Sequence, residues 1–91
     1  MELFVEIENS FPAIHKLMND EIEANFLLCK FENLGRYRFI LGLWIRNNLL
    51  TEDSKLYKLF TNGGVENKEQ MSALMIQLFY IYLRNKHGRT L

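Results

Sequence analysis

The fold is decided by residues 67–84, which read NKEQMSALMIQLFYIYLR. Asn67 is a good helix N-cap, and Gln70 stands three residues later, as in a capping box. Almost every residue between them and Arg84 is apolar, and Gly88 follows just beyond the basic end. The stretch therefore predicts a helix with almost no polar face, which lies at the centre of a bundle or is shared with a second chain.

Two helices are predicted in the N-terminal third. Ser10 caps the first, which carries Pro12 in its first turn, where a missing N–H does no harm, and ends near Met18. The second is capped by Asn19 or Asp20 and ends near Lys30, and its acidic first turn suits the positive end of the helix dipole.

Two more helices are predicted in the middle of the chain. The third covers residues 34–49, and its helical face is marked by residues at spacings of three and four: Leu34, Tyr37, Leu41, Trp44, Ile45 and Asn48. The fourth is capped by Thr51 and stops at residues 61–64, Thr-Asn-Gly-Gly, because Asn and Gly tolerate a left-handed backbone.

The segment 2–8 is ambiguous. Leu3, Val5 and Ile7 alternate with acidic residues as in a strand, whereas Leu3, Phe4, Ile7 and Phe11 form one helical face. We favour a helix, because no other segment has the pattern of a strand and a lone strand has no partner within the chain. The alternative is a strand that adds to the edge of a partner's sheet.

These patterns predict an all-α fold, a compact bundle of four to five short helices that forms one domain over residues 1–91. The chain is 48% hydrophobic and has 11 basic and 11 acidic residues, which is typical of a globular domain and excludes a disordered one. A net charge of zero argues against a general nucleic-acid binder. The apolar run at 73–83 is far shorter than the roughly 20 residues that span a membrane, so we expect no membrane association.

The charges are divided unevenly along the chain. Residues 1–35 hold seven acidic and two basic residues, a net charge of −5, and residues 36–91 carry +5. The acidic and basic residues either pair with each other inside the fold or form two surfaces of opposite charge that face partners.

Catalytic and metal-binding patterns are weak. Cys29 lies among apolar residues, so we expect it in the core, and we expect His15 at the surface. Two histidines and one cysteine do not complete a structural zinc site without carboxylates. We expect no enzyme activity, no cofactor and a cytoplasmic location, because a single cysteine suits a reducing compartment and the acidic start is unlike an export signal.

One candidate binding site lies on the third helix. Gly35, Arg38, Gly42 and Arg46 share one helical face, and the two arginines flank a position without a side chain. A glycine inside a helix lowers helix stability by about 1 kcal/mol relative to alanine. A glycine at position 42 therefore indicates a structural or functional requirement. Either another helix packs closely there, with the arginines paired to the acidic residues of 20–32, or Arg38 and Arg46 wall a groove for a carboxylate or phosphate.

Further candidate residues lie at the end of the third helix and on the last helix. Asparagines near a helix end usually cap or turn the backbone, so we expect this role for Asn47 and Asn48, and we expect Trp44 in the core. Tyr80, Tyr82 and Arg84 are the positions of the last helix that we expect at the surface, where tyrosine and arginine suit interface anchors.

The middle of the chain resembles a family of small bacterial helical domains of unknown function. The resemblance is carried by residues 42–48, Gly-Leu-Trp-Ile-Arg-Asn-Asn, and by residues 69–76, Glu-Gln-Met-Ser-Ala-Leu-Met-Ile, and covers about residues 37–83. Members are built around a Gly-x-Trp-Ile-Arg-Asn-Asn core and a later Met-Ser-x-x-Ile helix. The resemblance implies a compact helical fold and no established activity.

The function that these observations favour is non-catalytic binding of a partner protein, in the manner of an immunity protein or antitoxin that covers a basic toxin. The alternative is a nucleic-acid or phospho-ligand binder that uses Arg36, Arg38, Arg46 and the basic C-terminal group. A small enzyme using Arg46 and Asn47 is a third hypothesis. The last helix also predicts a homodimer, in which its flank with Phe79, Tyr80 and Tyr82 meets the same flank of a second copy.

Overall fold

The computed structural model describes residues 2–88 and confirms the all-α prediction. Its α-helices are α1 (Glu2–His15), α2 (Asp20–Leu28), α3 (Leu43–Asn48), α4 (Lys55–Asn62) and α5 (Lys68–Gly88). A 3₁₀ segment (Phe31–Tyr37) and a π segment (Arg38–Gly42) lead directly into α3.

Helix α5 is the centre of the bundle, as its sequence predicts. Its N-cap is Asn67, whose side-chain oxygen accepts hydrogen bonds from the backbone N–H groups of Glu69 at 2.7 Å and Gln70 at 3.2 Å. It contacts α1, α2, the 3₁₀ segment, the π segment and α3. Its fully buried apolar side chains come from successive turns and are those of Met71, Met75, Phe79 and Leu83. The described residues thus share a single core built around one helix.

The helix favoured for residues 2–8 is confirmed, but it continues without a break into the predicted first helix, so α1 is one helix where two segments were predicted. The N-cap prediction for Ser10 is wrong: the side chain is buried in mid-helix, and its hydroxyl donates a hydrogen bond to the carbonyl of Ile7. Pro12 stands inside the helix, not in its first turn. The fold tolerates it because Ile7, Phe11 and Ile14 bury a continuous face against the rest of the core.

Helix α2 begins where the sequence predicts, since the side chain of Asn19 accepts a hydrogen bond from the N–H of Ile22 at 2.8 Å. The predicted third helix over 34–49 is helical throughout but not uniform, because it changes from 3₁₀ to π to α geometry. Spacings of three and four residues predict the buried face, and they do not distinguish these hydrogen-bond patterns.

The start of α4 differs from the prediction. Ser54, not Thr51, is its N-cap and accepts from the N–H of Tyr57 at 3.0 Å, while the carbonyl of Thr51 accepts from the N–H of Ser54 in the preceding turn. The predicted stop is confirmed, because Gly64 has a φ of 95°, which side-chain-bearing residues rarely adopt.

Part of the acidic N-terminal third is paired within the fold. Lys55 of α4 lies 2.9 Å from a carboxylate oxygen of Glu2 and 3.6 Å from one of Glu6, and the hydrogen bond to Glu2 raises the pKa of Lys55. His15, predicted at the surface, is half-buried and contacts the carboxylate of Glu23. Cys29 is buried, as expected of a core residue.

Candidate functional site

Gly42 marks a close approach between the π segment and α5. A Cβ atom at this position would lie 3.7 Å from the Oγ of Ser72, 3.7 Å from the Cδ1 of Ile76 and 3.0 Å from the Nη1 of Arg46. Gly42 itself is buried. The geometry supports close helix packing, one of the two alternatives that the sequence leaves for this glycine.

Arg46 links the two segments that carry the family resemblance, residues 42–48 and residues 69–76. Its Nη1 donates to the hydroxyl of Ser72 at 3.1 Å, and its Nη2 lies 3.5 Å from the carbonyl of Arg38. The Ser72 hydroxyl in turn donates to the carbonyl of Glu69 at 3.0 Å. The guanidinium therefore ties the π segment to the first turn of α5, and these contacts replace the predicted pairing with acidic residues of 20–32.

Arg38 takes a different direction from Arg46, because its guanidinium lies 5.1 Å from the ring centre of Phe39. It also lines a depression of about 80 Å³ over α5, together with Gly35, Ser72 and Ile76. This depression is smaller than the pockets that usually hold ligands. Anion binding by Arg38 and Arg46 stays a prediction.

The prediction that Tyr80 lies at the surface is wrong. Its side chain is 4% exposed, and its hydroxyl donates to the backbone carbonyl of Cys29 and accepts from the guanidinium of Arg84 at 2.7 Å. The ring also meets that of Phe26 edge to face. Tyr80 thus fixes the end of α2 on α5, because the buried carbonyl of Cys29 needs a hydrogen-bond partner.

The predicted dimer flank of α5 is largely covered by the chain itself. Phe79 is fully buried, and its ring centre lies 5.4 Å from that of Phe11. Tyr82 stays partly exposed and packs on Phe11 with 4.9 Å between ring centres. Among the three flank residues only Tyr82 reaches the surface, and a homodimer through this flank stays a prediction.

An apolar depression lies between α2 and the segment from Tyr37 to Trp44, and we call it the Trp44 groove. It has a volume of about 400 Å³. Its lining consists of Leu17, Ile22, Asn25, Tyr37, Ile40, Leu41 and Trp44. Trp44, predicted in the core, is only half-buried, because one side packs on the core and the other forms the wall of this groove.

The surface on and beside the Trp44 groove is unusually apolar. Ile40 and Phe39 are each 70% exposed, and Leu43 is 49% exposed. Leu17 and Ile22 are exposed on the opposite side of the groove. We call these five residues, Leu17, Ile22, Phe39, Ile40 and Leu43, the apolar patch.

The polar side-chain groups of the residues that line the Trp44 groove are the hydroxyl of Tyr37, the amide of Asn25 and the indole N–H of Trp44. Burial raises the pKa of Tyr37, and nearby Cys29 raises it further, while Arg36 opposes both effects. None of these groups is a nucleophile at neutral pH. The groove is therefore equipped to bind apolar groups and to form a few hydrogen bonds.

Sequence reasoning missed the apolar patch, although a signal for it was present. The predicted third helix carries Phe39, Ile40 and Leu43 outside its buried stripe, at positions where an amphipathic helix has polar residues. Asn47 is exposed close by, and the side-chain amide of Asn48 donates to the carbonyl of Trp44 at 2.9 Å, which agrees with the capping role expected of it.

The described residues, 2–88, show neither a metal site nor a membrane-spanning helix. They contain no group of three or more His, Cys, Asp or Glu residues arranged to hold a metal ion. None of the helices within this range combines the length and hydrophobicity that a membrane span requires.

Comparison with known proteins identifies a family. A family model described as a domain of unknown function, DUF6794, matches residues 5–83. The match extends well before the segment that carried the resemblance in the sequence and includes most of α1, all of α2 and most of α5. No curated protein and no solved structure matches the chain.

Proposed function

The chain belongs to the DUF6794 family of domains of unknown function, and we propose that it is a non-catalytic module that binds another protein chain through the Trp44 groove. The observation that supports this proposal is the apolar patch. Soluble monomers rarely expose clustered large apolar side chains, and such clusters mark interaction surfaces.

A protein fits this surface better than a small molecule does. Small-molecule sites enclose most of their ligand, whereas Phe39 and Leu43 lie outside the lining of the Trp44 groove. A ligand held only in the groove would leave both side chains in water. A protein surface is wide enough to cover the groove and these two residues together.

A narrower form of the proposal is an immunity or antitoxin role against a basic toxin. Asp20 and Glu21 are exposed at the start of α2, next to the groove residue Ile22. Acidic residues at the edge of an interface speed association with a basic partner more than they strengthen the complex. We also propose that the protein is bacterial and cytoplasmic, and that residues 42–48 are the signature of its family.

The alternative function, binding of a nucleic acid or phospho-ligand, has less support. Arg46 is already hydrogen-bonded to Ser72, which leaves Arg36 and Arg38 as the exposed arginines of this segment. A nucleic-acid complex would weaken steeply with salt, with a slope near −0.9 per neutralised duplex phosphate. A complex made through the apolar patch would show a much smaller salt dependence, which comes only from charges at its edge.

The proposal is tested by affinity capture from native lysate with three forms of the chain: wild type, Ile40→Glu and Ile81→Glu. Ile81 is a matched control, since it is also exposed but lies on α5 in a different depression. We expect the wild type and Ile81→Glu to retain the same partner and Ile40→Glu to lose it. Retention by all three forms, or loss only with Ile81→Glu, would contradict the proposal.

A further inference from the structure

We infer that the chain bound at the Trp44 groove is a second copy of this protein, in a two-fold dimer whose apolar centre is the apolar patch. The inference rests on the proposed function, because it names the partner of the same surface. It moves the dimer contact away from the α5 flank, where Phe79 and Tyr80 are buried.

The area of the apolar patch matches one side of a stable dimer contact. Its five residues are 37% to 70% exposed, which corresponds to on the order of 500 Å² if a fully exposed large side chain presents ~200 Å². A standard interface buries about 800 Å² on each partner, and about 56–65% of that area is apolar. The patch therefore supplies the apolar part of one standard interface without any other surface.

The charges beside the groove make the surface self-complementary. Glu21 is exposed one helical turn before the lining residue Asn25 of α2, and Arg36 is exposed directly before the lining residue Tyr37 of the 3₁₀ segment. The acidic residue thus belongs to the α2 wall of the groove and the basic residue to the opposite wall. A two-fold axis that runs along the groove, midway between its two walls, places Glu21 of each copy opposite Arg36 of the other.

This arrangement favours a second copy over a strongly charged partner. A wholly basic partner surface would attract Glu21 but repel Arg36. A wholly acidic one would attract Arg36 but repel Glu21. Two identical surfaces satisfy both charges at once, and two chains of zero net charge do not repel each other at long range.

The first test is the mass of the purified chain in sedimentation equilibrium at 1–100 µM. We expect a dimer, twice the 10.9 kDa of one chain, and we expect Ile40→Glu to be a monomer with unchanged helix content. Ile81→Glu should remain a dimer. A monomeric wild type at the highest concentration, or a dimer that only Ile81→Glu dissociates, would overturn the inference.

The second test examines the pairing of Glu21 with Arg36. Glu21→Lys alone, or Arg36→Glu alone, turns two attractive contacts at the interface edge into repulsive ones and should raise the dissociation constant on the order of tenfold. The double variant should return the dissociation constant to near the wild-type value. A double variant weaker than both single variants would contradict the two-fold placement.

Failure of this inference is distinguishable from failure of the proposed function. A monomeric chain that still captures a partner in a manner dependent on Ile40 overturns the second copy and keeps the groove as a binding surface. A monomeric chain whose captured proteins do not depend on Ile40 overturns both.

Discussion

Replacement of Gly42 by a larger residue tests the junction between the π segment and α5. A Cβ atom at this position meets one close neighbour, the Nη1 of Arg46 at 3.0 Å, and two ordinary ones, the Oγ of Ser72 and the Cδ1 of Ile76 at 3.7 Å. The arginine tip is flexible and can move, whereas Ser72 and Ile76 are fixed on the central helix. Alanine and leucine should therefore behave differently.

Gly42→Ala should lower stability modestly. Alanine gains about 1 kcal/mol of helix propensity, and displacement of Arg46 sacrifices a charged hydrogen bond worth about 1.5–3 kcal/mol. The Ser72 hydroxyl keeps its bond to the carbonyl of Glu69, so no buried hydroxyl is left without a partner. We expect a net loss of about 2 kcal/mol or less.

Gly42→Leu adds atoms beyond the Cβ that have no space against Ser72 and Ile76. Overpacking of this kind costs about 1–3 kcal/mol beyond the alanine variant, and each kcal/mol lowers the Tm by about 4–8 °C in a domain of this size. Urea unfolding followed by far-ultraviolet circular dichroism measures the difference. Gly35→Leu is the control and should be nearly neutral, because nothing lies within 4 Å of a Cβ at that position.

The reasoning is refuted if Gly42→Leu is as stable as Gly42→Ala. That result would show that α5 does not approach the π segment closely and that the face with Arg38 and Arg46 is open to a ligand.

Two further predictions concern tyrosines. Tyr80→Phe should cost about 1–3 kcal/mol in urea unfolding, because it leaves the buried carbonyl of Cys29 without its donor, whereas Tyr82→Phe should change stability by less than about 0.5 kcal/mol; equal effects would contradict the hydrogen bond. The pKa of Tyr37 is raised above 10.0 in the fold, mainly by burial, so the unfolded chain loses this proton first, and stability that is present below pH 10.0 should be lost as pH rises through the folded pKa. Tyr37→Phe should show a smaller loss of unfolding free energy between pH 9 and pH 11 than the wild type, and an identical loss would contradict the shift.

The sequence was sufficient for the central part of the fold. Asn19 and Asn67 cap helices as predicted, and the apolar run of α5 lies in the core, because capping and burial depend on local spacing. Ser10 shows the limit of such reasoning, since its hydroxyl bonds backwards to Ile7 inside a helix that continues through it. A residue type that favours N-caps gives no information about whether the helix has already begun.

The site was harder to predict, because it depends on which elements meet. Tyr80 and Tyr82 are equivalent in sequence terms, and only the position of the α2 end over α5 makes one buried and the other exposed. Arg46 and Ser72 are 26 residues apart, and their contact follows from the approach at Gly42. The Trp44 groove exists because α2 and the π segment leave a space between them, which no local pattern specifies.

The central claim, that the apolar patch contacts another protein chain, is tested most directly by site-specific photo-crosslinking in the cell. A benzoylphenylalanine replaces Phe39, which is 70% exposed in the patch, or Phe4, an exposed phenylalanine of α1 that lines a different depression. The account predicts a covalent adduct at position 39 and none at position 4. The inferred dimer gives this adduct the mass of two copies of the chain, and an adduct with a different protein would overturn the dimer alone. The absence of an adduct at position 39, or equal adducts at both positions, would contradict it.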